Sequence, residues 1–402
     1  MMRLSIGGVV LAVAGLSVTL IACTSEERAM SRSAAEAPAP ETPLSFYVGT
    51  YTDGESLGIY RFTLDPASGA ASDPVLAVEV ENPSFLALHP NGRFLYAVGE
   101  MGEFRGEKTG AVSAFAIDSA SGDLTVLNQQ PSMGTGPCHL VVDARGRVVL
   151  VANYGSGTVA VLPLGDDGRL GEPSSVQSHS GTGPNERRQE GPHAHGIALD
   201  AEERRAFVAD LGADRLFVYD LDAAAGALAP SDPPVPAVAL EPGAGPRHVV
   251  FDPRGEVLYS INELDSTVTV LRYDAASGGL EKVQTTTTLP DDFEGENSTA
   301  EIAISPDGRF LYGSNRGHDS LAVFAVDPAS GRLTLVGHVS TGGHSPRHFA
   351  IDPTGGWLLA ANQRSDSVVP FRLDPESGMP AAAGPAITVP SPVCVLPVPA
   401  AP

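Results

Sequence analysis

The sequence has few cysteines and few basic residues. Its three cysteines, Cys23, Cys138 and Cys394, are too few for a disulfide framework. Lysine and arginine number 25 against 48 acidic residues, and the resulting formal net charge of -23 would repel a polyanion. No basic cluster offsets this charge, so we expect no nucleic-acid partner.

Several catalytic motifs are also absent from the sequence. It has no P-loop and no G-x-G-x-x-G motif between a strand and a helix. The histidine pair of "GPHAHG" (191–196) has no cysteine or glutamate at ligand spacing, so it is weak evidence for a metal site. We therefore expect no metal and no other cofactor.

The N-terminus is typical of an export signal. Arg3 precedes the apolar run "IGGVVLAVAGLSVTLIA", and "LIAC" (20–23) resembles a bacterial lipobox. We expect residues 1–22 to be a lipoprotein signal peptide, Cys23 to be lipidated, and residues 23–42 to be a polar, Ala/Pro-rich tether. Thr24 after the cysteine favours the outer membrane, so we expect a lipid-anchored protein of the cell envelope. An ordinary cleaved signal or an uncleaved anchor is the alternative.

A unit of about fifty residues recurs along the rest of the chain. Each copy has an apolar strand, a turn such as "DPRGE" or "SPDGR", and a second apolar strand such as "VLYSIN" or "FLYGSN". Two further strands follow, separated by a turn such as "DPASGRL". Successive first turns lie 47 to 57 residues apart and begin at His89, Asp143, Asp200, Asp252, Ser305 and Asp352. Four short antiparallel strands per repeat are typical of a propeller blade.

The repeat count predicts seven blades. Six repeats are complete, whereas the segment before them begins at a second strand, "FYVGTY". The missing first strand is available in "SPVCVLPV" (391–398). We therefore expect an all-β domain over residues 43–402, a seven-bladed β-propeller closed by pairing the N- and C-terminal strands in one blade. A β-sandwich or a β-helix is the alternative.

Charged groups gather at one predicted face of this propeller. Because each strand reverses the last, the start of strand one and the end of strand two lie on the same face. Arg247 and Glu263 are thereby brought to one mouth of the central channel, as a binding pair or as a purely structural ion pair. The recurrent asparagines at the ends of second strands are alternatively loop caps. Cys138, beside His139, is an alternative nucleophile.

The densest family motifs lie between residues 190 and 365. "GPRHVVFDPRGEVLYSINELDSTVTVL" (245–271) and "AEIAISPDGRFLYGSNRGHDSLAVFAVD" (300–327) resemble the lactonase family of seven-bladed β-propellers. This family is the bacterial 6-phosphogluconolactonase type and is similar to fungal carboxy-muconate lactonizing enzymes. The resemblance covers residues 45–398 and implies hydrolysis of a sugar lactone.

The same resemblance implies a site at the channel mouth. Its proposed catalytic set corresponds to His195, Arg247, Glu263 and Arg316 of this sequence. Glu263 or His195 would act as general base, and the two arginines would bind the carbonyl oxygen and any substrate anion. The surrounding substrate-binding residues would be His139, His193, Asn262 and Glu301.

The implied partners are a small-molecule lactone and, through Cys23, a membrane; we expect a monomer. Because 6-phosphogluconolactone is a cytoplasmic intermediate, an exported chain favours another sugar or aryl lactone. A non-catalytic envelope propeller that binds a ligand or a protein is the alternative from another class. Lactonization in place of hydrolysis is a third possibility.

Overall fold

The computed structural model describes residues 42–231 and 237–399 of the chain. These residues form thirty strands and a short 3-10 helix, Gln363–Ser365, and the strands assemble into seven antiparallel sheets. Within these ranges no helix has the length and apolar character needed to span a membrane. The predicted signal peptide, Cys23 and the tether up to residue 41 lie outside the described residues and stay predictions.

Each sheet forms one blade, whose strands run in order from the innermost to the outermost. Blade 1 contains β30 (Pro392–Val398), β1 (Leu44–Thr50), β2 (Gly58–Leu64) and β3 (Val75–Glu79). Blade 2 contains β4 (Leu86–Leu88), β5 (Phe94–Gly99), β6 (Ala111–Ile117) and β7 (Leu124–Pro131). Blade 3 contains β8 (Pro137–Val142), β9 (Val148–Asn153), β10 (Thr158–Pro163) and β11 (Ser175–Ser178). Blade 4 contains β12 (Ala194–Leu199), β13 (Arg205–Asp210), β14 (Arg215–Asp222) and β15 (Ala227–Pro230), with β16 (Val238–Ala239) also on β14.

The remaining three blades repeat the same order. Blade 5 contains β17 (Pro246–Phe251), β18 (Val257–Asn262), β19 (Thr267–Asp274) and β20 (Gly279–Thr287). Blade 6 contains β21 (Ser298–Ile304), β22 (Phe310–Arg316), β23 (Ser320–Val326) and β24 (Leu333–Ser340). Blade 7 contains β25 (Pro346–Ile351), β26 (Trp357–Asn362), β27 (Ser367–Leu373) and β28 (Pro380–Ala382), with β29 (Ile387–Thr388) also on β27.

The two ends of the described chain close the ring within blade 1. β30 pairs antiparallel with β1, in a register that runs from Ser45 opposite Val398 to Gly49 opposite Cys394. The innermost strands contact one another in the order β4, β8, β12, β17, β21, β25 and β30, and β30 contacts β4. The predicted seven-bladed propeller and its shared closing blade are therefore confirmed.

The apolar core consists of layers between neighbouring blades. One layer joins blade 7 to blade 1 through Trp357, Leu359, Phe46 and Phe62, and each of the other blade pairs has its own layer. A second strand such as β18 is buried along its whole length because a neighbouring blade covers each of its two faces. This explains why the second strands are near-continuous apolar runs.

The recurrent Asp-containing turns stabilise the hairpin between the first and second strands. In blade 5 the Asp252 carboxylate accepts hydrogen bonds from the backbone N–H groups of Glu256 and Val257, at 2.7 and 2.8 Å. Gly255 has a φ of +70°, a left-handed conformation that favours glycine. The repeated turn sequence is therefore accounted for by backbone hydrogen bonding, away from the channel mouth.

Tyrosine hydroxyls connect several blades. Tyr312 on β22 donates a 2.8 Å hydrogen bond to the carbonyl oxygen of Gly378 in the β27–β28 turn of the next blade. Tyr259 makes the corresponding 2.9 Å bond to Gly331. Because the Tyr312 hydroxyl is buried, its loss leaves a carbonyl oxygen without its partner.

We expect Tyr312→Phe to lower the free energy of unfolding by about 1 kcal/mol, the usual net value of one buried hydrogen bond. Urea unfolding monitored by circular dichroism measures this change. Tyr60→Phe is the matched control, because the Tyr60 hydroxyl only accepts an exposed 3.3 Å bond from the Leu57 N–H. Equal effects of the two substitutions would contradict the inter-blade role.

Candidate active site

The innermost strands contain β-bulges at the channel mouth. In blade 5, Pro246 pairs with Asn262 and His248 with Ile261, so Arg247 is an extra residue in β17. Similar register shifts occur in β8, β12, β21, β25 and β30 of the described chain. A bulge leaves a residue unpaired and re-aims its side chain. The bulged residue is the second of its strand in β8, β12, β17 and β25, namely Cys138, His195, Arg247 and Arg347.

Glu263 is the buried centre of a cluster of three arginines. Its Oε2 lies 3.1 Å from Nε of Arg247 and 3.0 Å from Nη2 of Arg316, and its Oε1 lies 2.7 Å from Nη2 of Arg188. The side chains of Arg247 and Glu263 are only 4% and 5% exposed. Three of the four predicted catalytic residues, Arg247, Glu263 and Arg316, are thus in direct contact.

These arginines determine the charge state of Glu263. Burial alone would raise the pKa of the carboxyl group, but Arg316, Arg247 and Arg188 outweigh it and lower the pKa from 4.5 to about 2. Burial lowers the pKa of Arg316 to about 10, which still leaves it cationic at neutral pH. The cluster therefore combines three positive charges with one negative charge, and an anion would be attracted to it.

We expect Glu263→Gln to lower the free energy of unfolding at pH 7 by about 3 kcal/mol, because the guanidinium groups of buried Arg247 and Arg316 and of partly exposed Arg188 lose their counter-charge. The pKa of Glu263 is lower in the folded state, so its stabilising contribution is complete above about pH 4.5 and disappears as the pH falls toward 2. The stability difference between variant and wild type should therefore shrink in acid.

Urea unfolding at pH 7 and pH 3 measures both effects. Glu172→Gln, which removes one negative charge from an exposed position of blade 3, is the control and should change stability little. A Glu263→Gln variant as stable as the wild type at pH 7 would contradict the expectation.

Arg188 is a site residue that the sequence analysis missed. It lies in the segment between β11 and β12, where Gln189 anchors the backbone through hydrogen bonds to Leu211 O at 2.9 Å and Asp214 Oδ1 at 2.6 Å. Arg188 also donates to the Tyr154 hydroxyl at 3.2 Å. This segment lies outside the repeated unit, so the alignment of the repeats could not predict its position. The only signal in the sequence was the pair of adjacent arginines in "NERRQE".

Four histidines pack together in the site, namely His139, His195, His248 and His348. The His248 ring lies 4.9 Å from His139 and 5.1 Å from His195 between centroids, and Phe85 lies 5.6 Å from His348. Burial lowers the pKa of each of these histidines, and for His348 the value is about 4. All four are therefore neutral at pH 7.

Glu301 orients two of these rings. Its carboxylate accepts from Nδ1 of His248 at 3.0 Å and lies 3.2 Å from Nε2 of His348. Nη1 of Arg247 donates to Nε2 of His248 at 3.2 Å, which requires the proton of that neutral ring to be on Nδ1. Glu301 therefore orients His248, and His248 in turn holds the Arg247 guanidinium in position.

Within the described residues no group of histidine, cysteine, aspartate or glutamate side chains is arranged to hold a metal ion.

His195 lies beside the arginine cluster. Its Nδ1 is 3.6 Å from the Cys138 thiol, and Tyr154 and His248 pack against its ring. Burial raises the pKa of the Cys138 thiol, so this cysteine is a thiol at neutral pH and a poor nucleophile. Neutral His195, by contrast, can accept a proton.

Two predicted surrounding residues have other contacts. The Asn262 amide donates to the hydroxyls of Thr267 and Thr269 in its own blade, at 2.8 and 2.9 Å. It thus stabilises the end of its hairpin, as the loop-cap alternative predicts. His193 stacks on Tyr154 with centroids 4.4 Å apart and makes a 2.8 Å bond to the Tyr154 carbonyl oxygen. It therefore supports the ring that contacts Arg188.

The family model described as "Lactonase, 7-bladed beta-propeller" matches residues 45–397 of the chain. The chain belongs to this family. The match extends from β1 to β30, so this lactonase propeller includes the closing blade and the whole arginine cluster.

Named relatives of this lactonase propeller include two enzymes. It is 42% identical over 301 residues to the 6-phosphogluconolactonase of Bacillus subtilis, covering 75% of this chain and 83% of that protein. It is 39% identical over 256 residues to the 6-phosphogluconolactonase of Pectobacterium carotovorum, covering 64% of this chain and 70% of that protein. The solved structure of a periplasmic gluconolactonase from Pseudomonas aeruginosa is 36% identical, with a TM-score of 0.83 over 90% of this chain and 100% of that chain.

Proposed function

We propose that this protein hydrolyses a sugar lactone by attack of water on the ring carbonyl. Its family supports a lactonase, and its named relatives include a 6-phosphogluconolactonase and a periplasmic gluconolactonase. The observation that carries the proposal is the buried contact of Arg247 and Arg316 with Glu263, beside neutral His195. This arrangement offers both a group that binds an oxyanion and a group that accepts a proton.

Arg247 and Arg316 would stabilise the charge that develops on the carbonyl oxygen. Arg247 uses Nε for Glu263 and Nη1 for the Ala300 carbonyl oxygen, at 3.1 and 2.7 Å. Arg316 uses Nη2 for both Glu263 and the Thr299 carbonyl oxygen. Each guanidinium group thus keeps an N–H-bearing nitrogen for the substrate while its position is fixed.

His195 is the better of the two candidate bases. Glu263, with a pKa of about 2, has little affinity for a proton at neutral pH and is occupied by three arginines. His195 is neutral, and within residues 42–231 and 237–399 its Nε2 has no hydrogen-bonding partner. We assign proton abstraction from water to His195, and positioning of the arginines to Glu263.

We also propose an envelope location, with a lipid anchor at Cys23. The N-terminal sequence supports it, and the Pseudomonas relative is periplasmic. Radiolabelled palmitate should be incorporated by the full chain and not by a Cys23→Ser variant, and fractionation should move that variant out of the membrane. Equal labelling of both chains would refute the anchor.

The activity test is hydrolysis of glucono-δ-lactone and 6-phosphogluconolactone by the purified protein, followed in a pH-stat against the spontaneous rate. We expect turnover well above background with at least one of them. Saturable binding without turnover of either lactone would instead support the non-catalytic binding propeller. Lactone formation from the open acid would favour lactonization.

A further inference from the structure

Arg247 also lines a pocket, and a second cluster of polar residues borders this pocket. The walls of this pocket include Arg247, Ser84, Glu100 and Arg347, and its apolar surface includes Phe85. The polar residues belong to blades 5, 2 and 7, so the pocket extends across the channel mouth from the arginine cluster. Arg247, Glu100 and Arg347 therefore line one and the same pocket.

Arg347 differs from the other three arginines of the site. Arg188, Arg247 and Arg316 all contact Glu263, whereas within the described residues no carboxylate lies within ion-pair distance of Arg347. Its Nη2 donates a 2.8 Å hydrogen bond to the Tyr51 hydroxyl, and its guanidinium lies 5.2 Å from the centre of that ring. The other nitrogens of Arg347 remain available as donors.

Glu100 supplies an acceptor next to this donor. Its Oε2 accepts hydrogen bonds from the Tyr51 hydroxyl at 2.9 Å and from the Ser84 hydroxyl at 2.5 Å. Within the described chain its Oε1 has no hydrogen-bonding partner. Tyr51 therefore connects Arg347 to Glu100 and fixes a free donor and a free acceptor side by side.

This combination fits a hydroxyl group better than a phosphate. A hydroxyl both donates and accepts, so it can bind Glu100 and Arg347 together. A phosphate dianion only accepts, and the Glu100 carboxylate would repel it.

We propose that Glu100 and Arg347 bind hydroxyl groups of the lactone and select an unphosphorylated, polyhydroxylated lactone as substrate. The inference rests on the proposed function, because it assumes that Arg247 holds the lactone carbonyl. Tyr51 and Ser84 are positioning residues that orient the two binding groups.

Two lactones of the same ring size test the subsite. Glucono-δ-lactone has ring hydroxyls, whereas δ-valerolactone has none. In Glu100→Gln and Arg347→Met, we expect kcat/KM to fall about 10-fold or more for glucono-δ-lactone and less than about 2-fold for δ-valerolactone. Glu172→Gln, with its exposed carboxylate on blade 3, should change neither. Equal losses with both lactones, or a wild-type preference for 6-phosphogluconolactone over glucono-δ-lactone, would overturn the proposal.

Equilibrium binding separates this inference from the activity itself. By isothermal titration calorimetry, both variants should bind D-gluconate about 10-fold more weakly than the wild type and 5-hydroxypentanoate equally well. This pattern in a protein without lactone turnover would refute the hydrolytic function and retain the hydroxyl-binding subsite. Unchanged gluconate affinity, or no gluconate binding by the wild type, would refute the subsite.

Discussion

Arg247→Ala should lower kcat/KM for the lactone about 10³-fold. Arg247 is buried and fixed by Glu263, Ala300 and His248, so its free N–H groups need no reorganisation when negative charge develops on the carbonyl oxygen. Stabilisation of this kind is realised mainly in the transition state, so the loss should appear largely in kcat. Steady-state kinetics with the preferred lactone measures it.

The fold should survive this substitution. Glu263 keeps its contacts with Arg188 and Arg316 when Arg247 is removed, so no buried carboxylate is left unpaired. Arg254→Ala is the matched control, because Arg254 lies just beyond the other end of β17 and pairs with Asp252 at a half-exposed position. Activity of Arg247→Ala equal to that of the control would refute the assignment. Loss of native circular dichroism would instead favour a purely structural ion pair.

His195→Gln should lower kcat about 10³-fold with a smaller effect on KM, because glutamine keeps a polar group in place but does not accept the proton of the attacking water. Burial lowers the pKa of His195 well below its usual 6.5. The base is active when neutral, so wild-type kcat should be constant from pH 8 down to 6.5 and fall only at lower pH.

A pH-rate profile of the wild type and a kinetic comparison with the variant measure these effects. His89→Gln is the control, because His89 lies in the β4–β5 turn and bonds the Gly146 carbonyl oxygen, away from the mouth. A wild-type profile that falls between pH 8 and 7, or full activity of His195→Gln, would exclude His195 as the base.

The sequence was sufficient for the blade architecture and for part of the site. The repeated turn and strand pattern predicts the blade number, and "SPVCVLPV" predicts β30, because each blade needs the same first strand. The 16-residue separation of Arg247 and Glu263 predicts their contact, because one hairpin connects them.

Other parts of the site depend on contacts between blades. Arg188 reaches Glu263 from a segment with no repeat register, so its position depends on Gln189 and the neighbouring loop. The bulge at Arg247 is invisible in the alternating pattern, because one extra residue hardly changes it. Arg347 and Tyr51 are about three hundred positions apart in sequence, and only the closed ring brings them together.

Closure by β30 also dictates when the molecule can finish folding. β1, β2 and β3 emerge first during synthesis, but their innermost partner ends at Val398. Until that strand arrives, Phe46 and Phe62 of blade 1 and Trp357 of blade 7 have no completed apolar layer between them. A chain interrupted shortly before Pro392 would therefore present an open ring with an exposed apolar seam to chaperones and proteases.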